Sequence, residues 1–151
     1  QLVNYVNDQT PSSVLDIGCG YNRFKGKIKR LTGIDPYNDH ACIKTSLEDF
    51  YPCPSYDIVL ALGSINFGDE ANIDNQISLI HVLFRKEAIF RVNPGIPHDW
   101  ADVADIQGIQ WYPWTKEKIY AIADQYKYNV KKFEEESVSQ GHLRYFFIYT
   151  K

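Results

Sequence analysis

Methionine is absent from all 151 residues, and cysteine is scarce at three. The chain opens at Gln1, so a trimmed product, or a part of a longer one, is the expectation. Cys19, Cys42 and Cys53 make no Cys-x-x-Cys pair, and an odd number leaves one thiol over in any disulfide scheme. A reduced, cytoplasmic setting is the simpler reading, and no signal peptide opens the chain. Long apolar runs are missing too. Ile58 to Leu62 falls far short of the ~20 residues a membrane span requires, so no membrane partner is expected. Neither sign of charge dominates: 16 Lys and Arg face 19 Asp and Glu, for a formal charge of −3. That balance argues against a nucleic-acid binder driven by bulk electrostatics, although a local basic patch leaves nucleic acid open as a partner. His40, His81, His98, His142 and the cysteines lack ligand spacing, so no metal is expected.

What is present describes an ordinary domain. Hydrophobic residues at 44% and charged residues at 23% exclude a disordered tail or a fibre. A chain of this length can bury ~70% of the surface its unfolded form exposes, enough to fold without disulfides or metal. No repeat or linker divides it, so residues 1–151 read as a single domain. Eleven Tyr and eight Phe make the core and pocket walls ring-rich.

The order of elements is legible from periodicity. Residues 2–8 suit a short helix, followed by the turn-rich Thr10-Pro11-Ser12-Ser13. Val14-Leu15-Asp16-Ile17-Gly18 is a buried-strand pattern, residues 22–30 can make a short basic helix, and 31–35 form a second strand stopped by Pro36. A third strand near 41–45 must fit into about twenty residues, which reduces the crossover helix before it to a turn. Tyr56 to Leu62 is the clearest strand. Ile73, Ile77, Ile80 and Phe84 then line one helical face, and 88–92 make the next strand. Residues 96–114 carry three Trp without a period and read as an ordered loop or lid. Thr115 can cap a helix with Ile119, Ile122, Ala123 and Tyr126 inward, and strands near 128–133 and 143–150 close the chain. The expected fold class is α/β: a Rossmann-like, mostly parallel sheet with helices on both faces and a C-terminal antiparallel hairpin.

The chemistry concentrates where the first two strands end. A strand running into Gly18-Cys19-Gly20 lets the backbone bend sharply and approach a ligand with no Cβ in the way. The second strand delivers Asp35 seventeen positions after Gly18, close to the ~20 typical of an acid that grips ribose hydroxyls. A dinucleotide site wants a third glycine where this chain has Arg23, whose bulk opposes close approach to a pyrophosphate. Asp16 inside the first strand instead suits a ligand with a cationic amino-acid end, as S-adenosylmethionine has.

VLDIGCG at 14–20, GIDPY at 33–37, SLEDF at 46–50 and YDIVLALGSINFG at 56–68 together resemble the class I S-adenosylmethionine-dependent methyltransferases. WYPWT at 111–115 and the reduced crossover are similar to small phage or bacterial members. The resemblance implies the cofactor S-adenosyl-L-methionine and assigns residues to it. Gly18, Cys19 and Gly20 would line its methionine end through their backbones, and Asp16 would order that loop and the amino group. Asp35 would hold the ribose hydroxyls, with Pro36 and Tyr37 flanking adenine. The Leu47 backbone would meet an adenine ring nitrogen, leaving the adenine amino group to Ser46, Glu48 or Asp49. Leu62 and Gly63 would face the methionine moiety. Asn22 stands where many members have glycine, and Asn tolerates left-handed backbone.

Methyl transfer is a direct displacement, so the protein aligns the acceptor and removes its proton where needed. Ser64, Asn66, Asn93, His98 and Asp99 occupy the loops where that work is expected. His98, Asn66 and Asn93 are the candidate catalytic residues, with His98 a base able to work near neutral pH. Asn66-Phe67-Gly68-Asp69 lacks the Pro-Pro that follows such an Asn in amino-methylating nucleic-acid enzymes, and no Pro-Cys pair supports cytosine-C5 chemistry. The acceptor expected is a small molecule or a small epitope. Two rivals stay open: a cofactor-binding module without catalysis inside a larger assembly, and a nicotinamide-dependent oxidoreductase, which Arg23 opposes.

Overall fold

The computed structural model describes residues 1–51, 55–95, 108, 110–137 and 142–151. Helix α1 (Leu2–Asp8) leads into strand β1 (Val14–Ile17), followed by β2 (Leu31–Ile34) and β3 (Tyr56–Leu62). Helix α2 (Glu70–Leu83) runs directly into β4 (Phe84–Val92), and α3 (Lys116–Tyr126) precedes the hairpin of β5 (Asn129–Ser137) and β6 (Leu143–Thr150). The six strands form one sheet in the order β2-β1-β3-β4-β6-β5. The first four are parallel; β6 pairs antiparallel with both β4 and β5. This is the α/β architecture the sequence predicts.

Each face of the sheet has its own core. On one, Leu15, Ile17, Val59, Ala61, Ala88 and Phe90 meet Ile73, Ile77 and Ile80 of α2 and Ile119 and Ile122 of α3. On the other, Val14, Ile58, Leu60, Ile89 and Ile148 meet Val6 of α1 and Ile28. The run of four buried residues in β1 reflects burial on both faces, as parallel strands require. Asp69 starts α2 with a reciprocal cap: its carboxylate accepts from the Asn72 amide at 2.9 Å, and Asn72 Oδ1 accepts from the Asp69 amide at 3.0 Å. Thr115 caps α3 by accepting from the Lys118 amide at 3.1 Å.

Three expectations need correction. Residues 22–30 form successive turns, not a basic helix: Asn22, Gly26 and Arg30 all take positive φ (54°, 77° and 57°), which no right-handed helix permits. The third strand near 41–45 shrinks to a single parallel bridge between Ile34 and Ile43. Asp35 Oδ1 accepts from the Tyr37 and Asn38 amides, and Asn38 Oδ1 accepts from the His40 amide, so these side chains turn the chain before a strand can extend. Finally, β4 begins at Phe84, four residues before the expected 88, because the α2 face ends at Leu83 with no intervening loop.

Asp57 and Glu87 are buried acids that fasten this frame. Asp57 accepts from Ser12 and from the Arg85 and Lys86 side chains at the amino ends of the strands. Its backbone and cationic partners hold its carboxyl well below the usual carboxylate range, the Ser12 amide contributing most. Glu87 accepts from Tyr5 Oη, Gln9 Nε2 and Lys131 Nζ, tying α1 to the sheet.

Candidate functional site

The carboxyl ends of β1, β2 and β3 meet at the glycine hinge. Gly18 has φ +64° and Gly20 φ +53°, so both occupy backbone that side-chain-bearing residues resist. A Cβ on Gly18 would lie 2.5 Å from Ser64 Cβ, so the hinge is packed against the loop after β3. Ser64 Oγ is buried there without a hydrogen-bond partner among the described residues. The Cys19 amide donates to Ile34 O at 3.0 Å, which carries the β1–β2 pairing into the hinge.

Asp35 is already engaged with that hinge. Its Oδ2 accepts from the Gly20 amide at 3.0 Å, while Oδ1 takes the Tyr37 and Asn38 amides at 2.9 and 3.0 Å. The carboxylate is thus oriented beside Gly20 and half-buried, with Tyr37 exposed next to it. Asp16 is the opposite case. It is 4% exposed, and no described residue hydrogen-bonds its carboxylate. Burial, with repulsion from Asp35 second, pushes the Asp16 carboxyl up to about 7. A buried acid left without a partner costs stability, so its retention points to a cationic or hydrogen-bonding guest. Burial first, then Asp16 and Asp35, pushes the Cys19 thiol up to about 11, which makes it a poor nucleophile.

The other predicted positions fall around this centre. Pro36 and Tyr37 continue from Asp35 into the turn. Ser46 Oγ donates to Asp49 Oδ2 at 2.9 Å and accepts from the Asp49 amide, closing a small turn that buries Leu47. Glu48 accepts from Gln76 of α2 at 3.1 Å. Leu62 and Gly63 end β3, with Gly63 at φ +101°. Asn66, 2% exposed, spends its amide internally: Nδ2 donates to Gly63 O at 3.0 Å, and Oδ1 accepts from the Asn93 amide at 3.0 Å. It therefore braces the tip of β3 against the tip of β4. His98 and Asp99 lie outside the described residues.

Residues 110–114 cross these tips. Gly68 and Tyr112 amides donate to Gln110 O and Asn66 O at 2.8 Å, and Phe67 bridges Trp111. Trp114 is fully buried, its Nε1 donating to Ile65 O at 2.8 Å, and Tyr112 packs edge-on against it. These two rings build core. Sequence reasoning missed Gly33, where a Cβ would lie 2.7 Å from Asn22 Oδ1 and 2.9 Å from Cys19 Sγ. Its place in the second strand pattern was the available signal. Among the described residues, no group of three or more His, Cys, Asp or Glu could hold a metal ion.

A six-stranded sheet with this order and hairpin is the fold of the S-adenosylmethionine-dependent methyltransferases. Magnesium protoporphyrin IX methyltransferase from Synechocystis PCC 6803, solved with bound S-adenosylhomocysteine, superposes with a TM-score of 0.77 at 14% identity, over 99% of this chain and 80% of that one. The 1,6-didemethyltoxoflavin-N1-methyltransferase of Burkholderia thailandensis gives 0.73 at 13% identity, over 99% and 76%. N-methyltransferase NodS from Bradyrhizobium japonicum WM9 gives 0.72 at 14%, over 99% and 84%. No protein-family model matches the chain, and no curated protein matches it in sequence.

Proposed function

We propose that the protein is a methyltransferase that uses S-adenosyl-L-methionine. The observation that carries the reading is the buried, unpartnered Asp16 beside a glycine hinge whose second amide holds Asp35. Those residues fit the group: an acid without a partner for an ammonium, backbone free of side chains for close approach, and an oriented carboxylate for a diol. The likeness to solved methyltransferases, all three of those described above holding S-adenosylhomocysteine, supports the choice of ligand.

Gly18, Cys19 and Gly20 would line the methionine end, with Asp16 facing the amino group and Leu62 and Gly63 opposite. Asp35 would accept from the ribose hydroxyls. Pro36 and Tyr37 would flank the adenine, and the turn of Ser46, Leu47 and Glu48 would meet its polar rim. The chemistry the cofactor supplies when bound is an electrophilic methyl group on a sulfonium. What this chain contributes is alignment, exclusion of water and, where the acceptor needs it, a base. Asn66 and Asn93 set the spacing of the strand tips over which the acceptor enters. His98 is the base we assign to the acceptor proton, by its position in the sequence six residues after the end of β4.

Because the Asn66 amide is committed to Gly63 and Asn93, a second reading also stands: a module that binds the cofactor without turnover. Calorimetry with S-adenosylhomocysteine tests the shared part. Asp35→Ala is expected to weaken binding ~10–100-fold, since ~1.4 kcal/mol is a factor of ten and two charge-assisted bonds are lost. Unchanged affinity refutes the ribose assignment. Labelled-methyl transfer against nucleic-acid, protein and metabolite pools then separates enzyme from module.

A further inference from the structure

The turns between β1 and β2 leave a cleft of about 470 Å³ on the α1 side of the sheet, lined by Val3, Gly20, Tyr21, Arg23, Phe24 and Lys27. Its wall includes Cys19 and Gly20, so it adjoins the hinge directly. Among the described residues, no acidic one lines it. Tyr21 is 69% exposed, with one side of its ring against His40 at a centroid distance of 5.8 Å, and Phe24 is half-buried. The cations here are also set apart by what they lack. Among the described residues Arg23, Lys25, Lys27, Lys29 and Arg30 form no ion pair, while Lys44, Arg85, Lys86, Arg91, Lys118, Lys131 and Lys132 each sit on a carboxylate. Five positive charges in eight residues repel one another, and the positive-φ turns at Asn22, Gly26 and Arg30 hold them in place.

We infer that this cleft is a second ligand site beside the hinge, and that its ligand is a small, ring-bearing anion. The site is distinct from the strand tips over which the methyl acceptor enters, so it goes beyond the methyltransferase reading. Arg23 offers a planar fork to a carboxylate or phosphate, and Lys27 adds a point charge. Tyr21 and Phe24 offer ring faces, and Val3 completes an apolar wall. The volume lies within the range of small-molecule sites, ~300–1,000 Å³. A long polyanion would need the five cations on one track. They are divided instead: Lys29 and Arg30 line a separate cavity of about 220 Å³ with Asn7, Thr10 and Pro11, at the amino ends of the strands.

The test is an amide-shift titration of the ¹⁵N-labelled protein with 1-naphthyl phosphate, 1-naphthoate and the neutral 1-naphthamide. The expected result is movement of the Val3, Gly20, Tyr21 and Phe24 amides by an anion bound at least about tenfold more tightly than the amide. Whichever anion binds more tightly names the acidic group. Arg23→Ala and Lys27→Ala should each weaken that anion about tenfold and leave S-adenosylhomocysteine affinity within about twofold. Equal binding of 1-naphthamide, shifts confined to other residues, absence of binding by either anion, or indifference to both substitutions overturns the inference. So does tighter binding of a single-stranded oligoadenylate that is weakened as much by Lys25→Ala or Arg30→Ala. If S-adenosylhomocysteine fails to bind, the methyltransferase reading falls while the naphthyl titrations still report on the cleft.

Discussion

Replacing Asp16 by Asn should make the ligand-free protein more stable at pH 8 and less able to hold its cofactor. Asp16 is almost fully enclosed, lacks a partner among the described residues, and has its carboxyl pushed from 3.8 to about 7 by burial and then by Asp35. Moving a carboxyl that far costs its charged form roughly 4 kcal/mol. The sign follows from proton binding. Between pH 3.8 and about 7 the folded chain keeps a proton that the unfolded chain releases, so stability is greatest at the acidic end and falls as pH rises. Above about pH 7 the loss is complete and constant. Asn has nothing to ionise, so the variant escapes the loss. For a domain of this size ~1 kcal/mol moves Tm by roughly 2–4 °C, and the full effect corresponds to about 8–16 °C at pH 8, shrinking towards zero near pH 4. Thermal melts of both proteins across that pH range give the measurement. The cofactor's ammonium should draw the proton off Asp16, so wild-type affinity should rise with pH up to about 7, and calorimetry in buffers of different ionisation enthalpy should register a released proton. Parallel melting curves for the two proteins at every pH would refute the reasoning.

Gly18→Ala should destabilise by ~1–3 kcal/mol, because its Cβ collides with Ser64 Cβ and φ is +64°; adding Ser64→Gly should recover the collision and not the backbone strain, as chemical denaturation would resolve. Asn66→Ala should cost ~1–3 kcal/mol and lower turnover, since it leaves the Asn93 amide and Gly63 carbonyl without their partner; an unchanged urea midpoint would contradict the brace. His98→Ala should leave S-adenosylhomocysteine binding intact in calorimetry and slow methyl transfer, whereas full activity would remove His98 from the mechanism.

What the sequence made legible was whatever local pattern decides. Burial on both faces wrote β1 and β3 as apolar runs, the spacing of Ile73, Ile77 and Ile80 wrote α2, and two glycines followed by Asp35 wrote the hinge and its acid. The basic stretch at 22–30 misled because Lys and Arg favour helix while Asn22, Gly26 and Arg30 take left-handed backbone, a choice set by packing of Phe24 and Ile28 against β1 and α1. The stretch 41–45 shows strand-favouring Ile43 and Thr45 but stays a single bridge, because the Asp35 and Asn38 side chains build a competing turn that local pattern does not display. Long-range pairings stayed hidden altogether. Nothing local in Asn66 announces a bond to Asn93, and nothing in Trp114 announces its bond to Ile65.

The single bridge at Ile43 has a consequence for solubility. β2 is the outermost parallel strand, and a bare row of amides and carbonyls along its rim would recruit another chain. The Cys42 and Ile43 amides occupy Gly33 O, and the Asp35 amide reaches Ile43 O at 3.4 Å, so a few residues of excursion blunt that rim where a full strand would extend it. At the far border β5 guards itself by composition, with Lys131, Lys132, Glu134, Glu135 and Glu136 along its length. Shortening the 36–45 excursion would therefore expose one unguarded border and favour edge-to-edge stacking of chains.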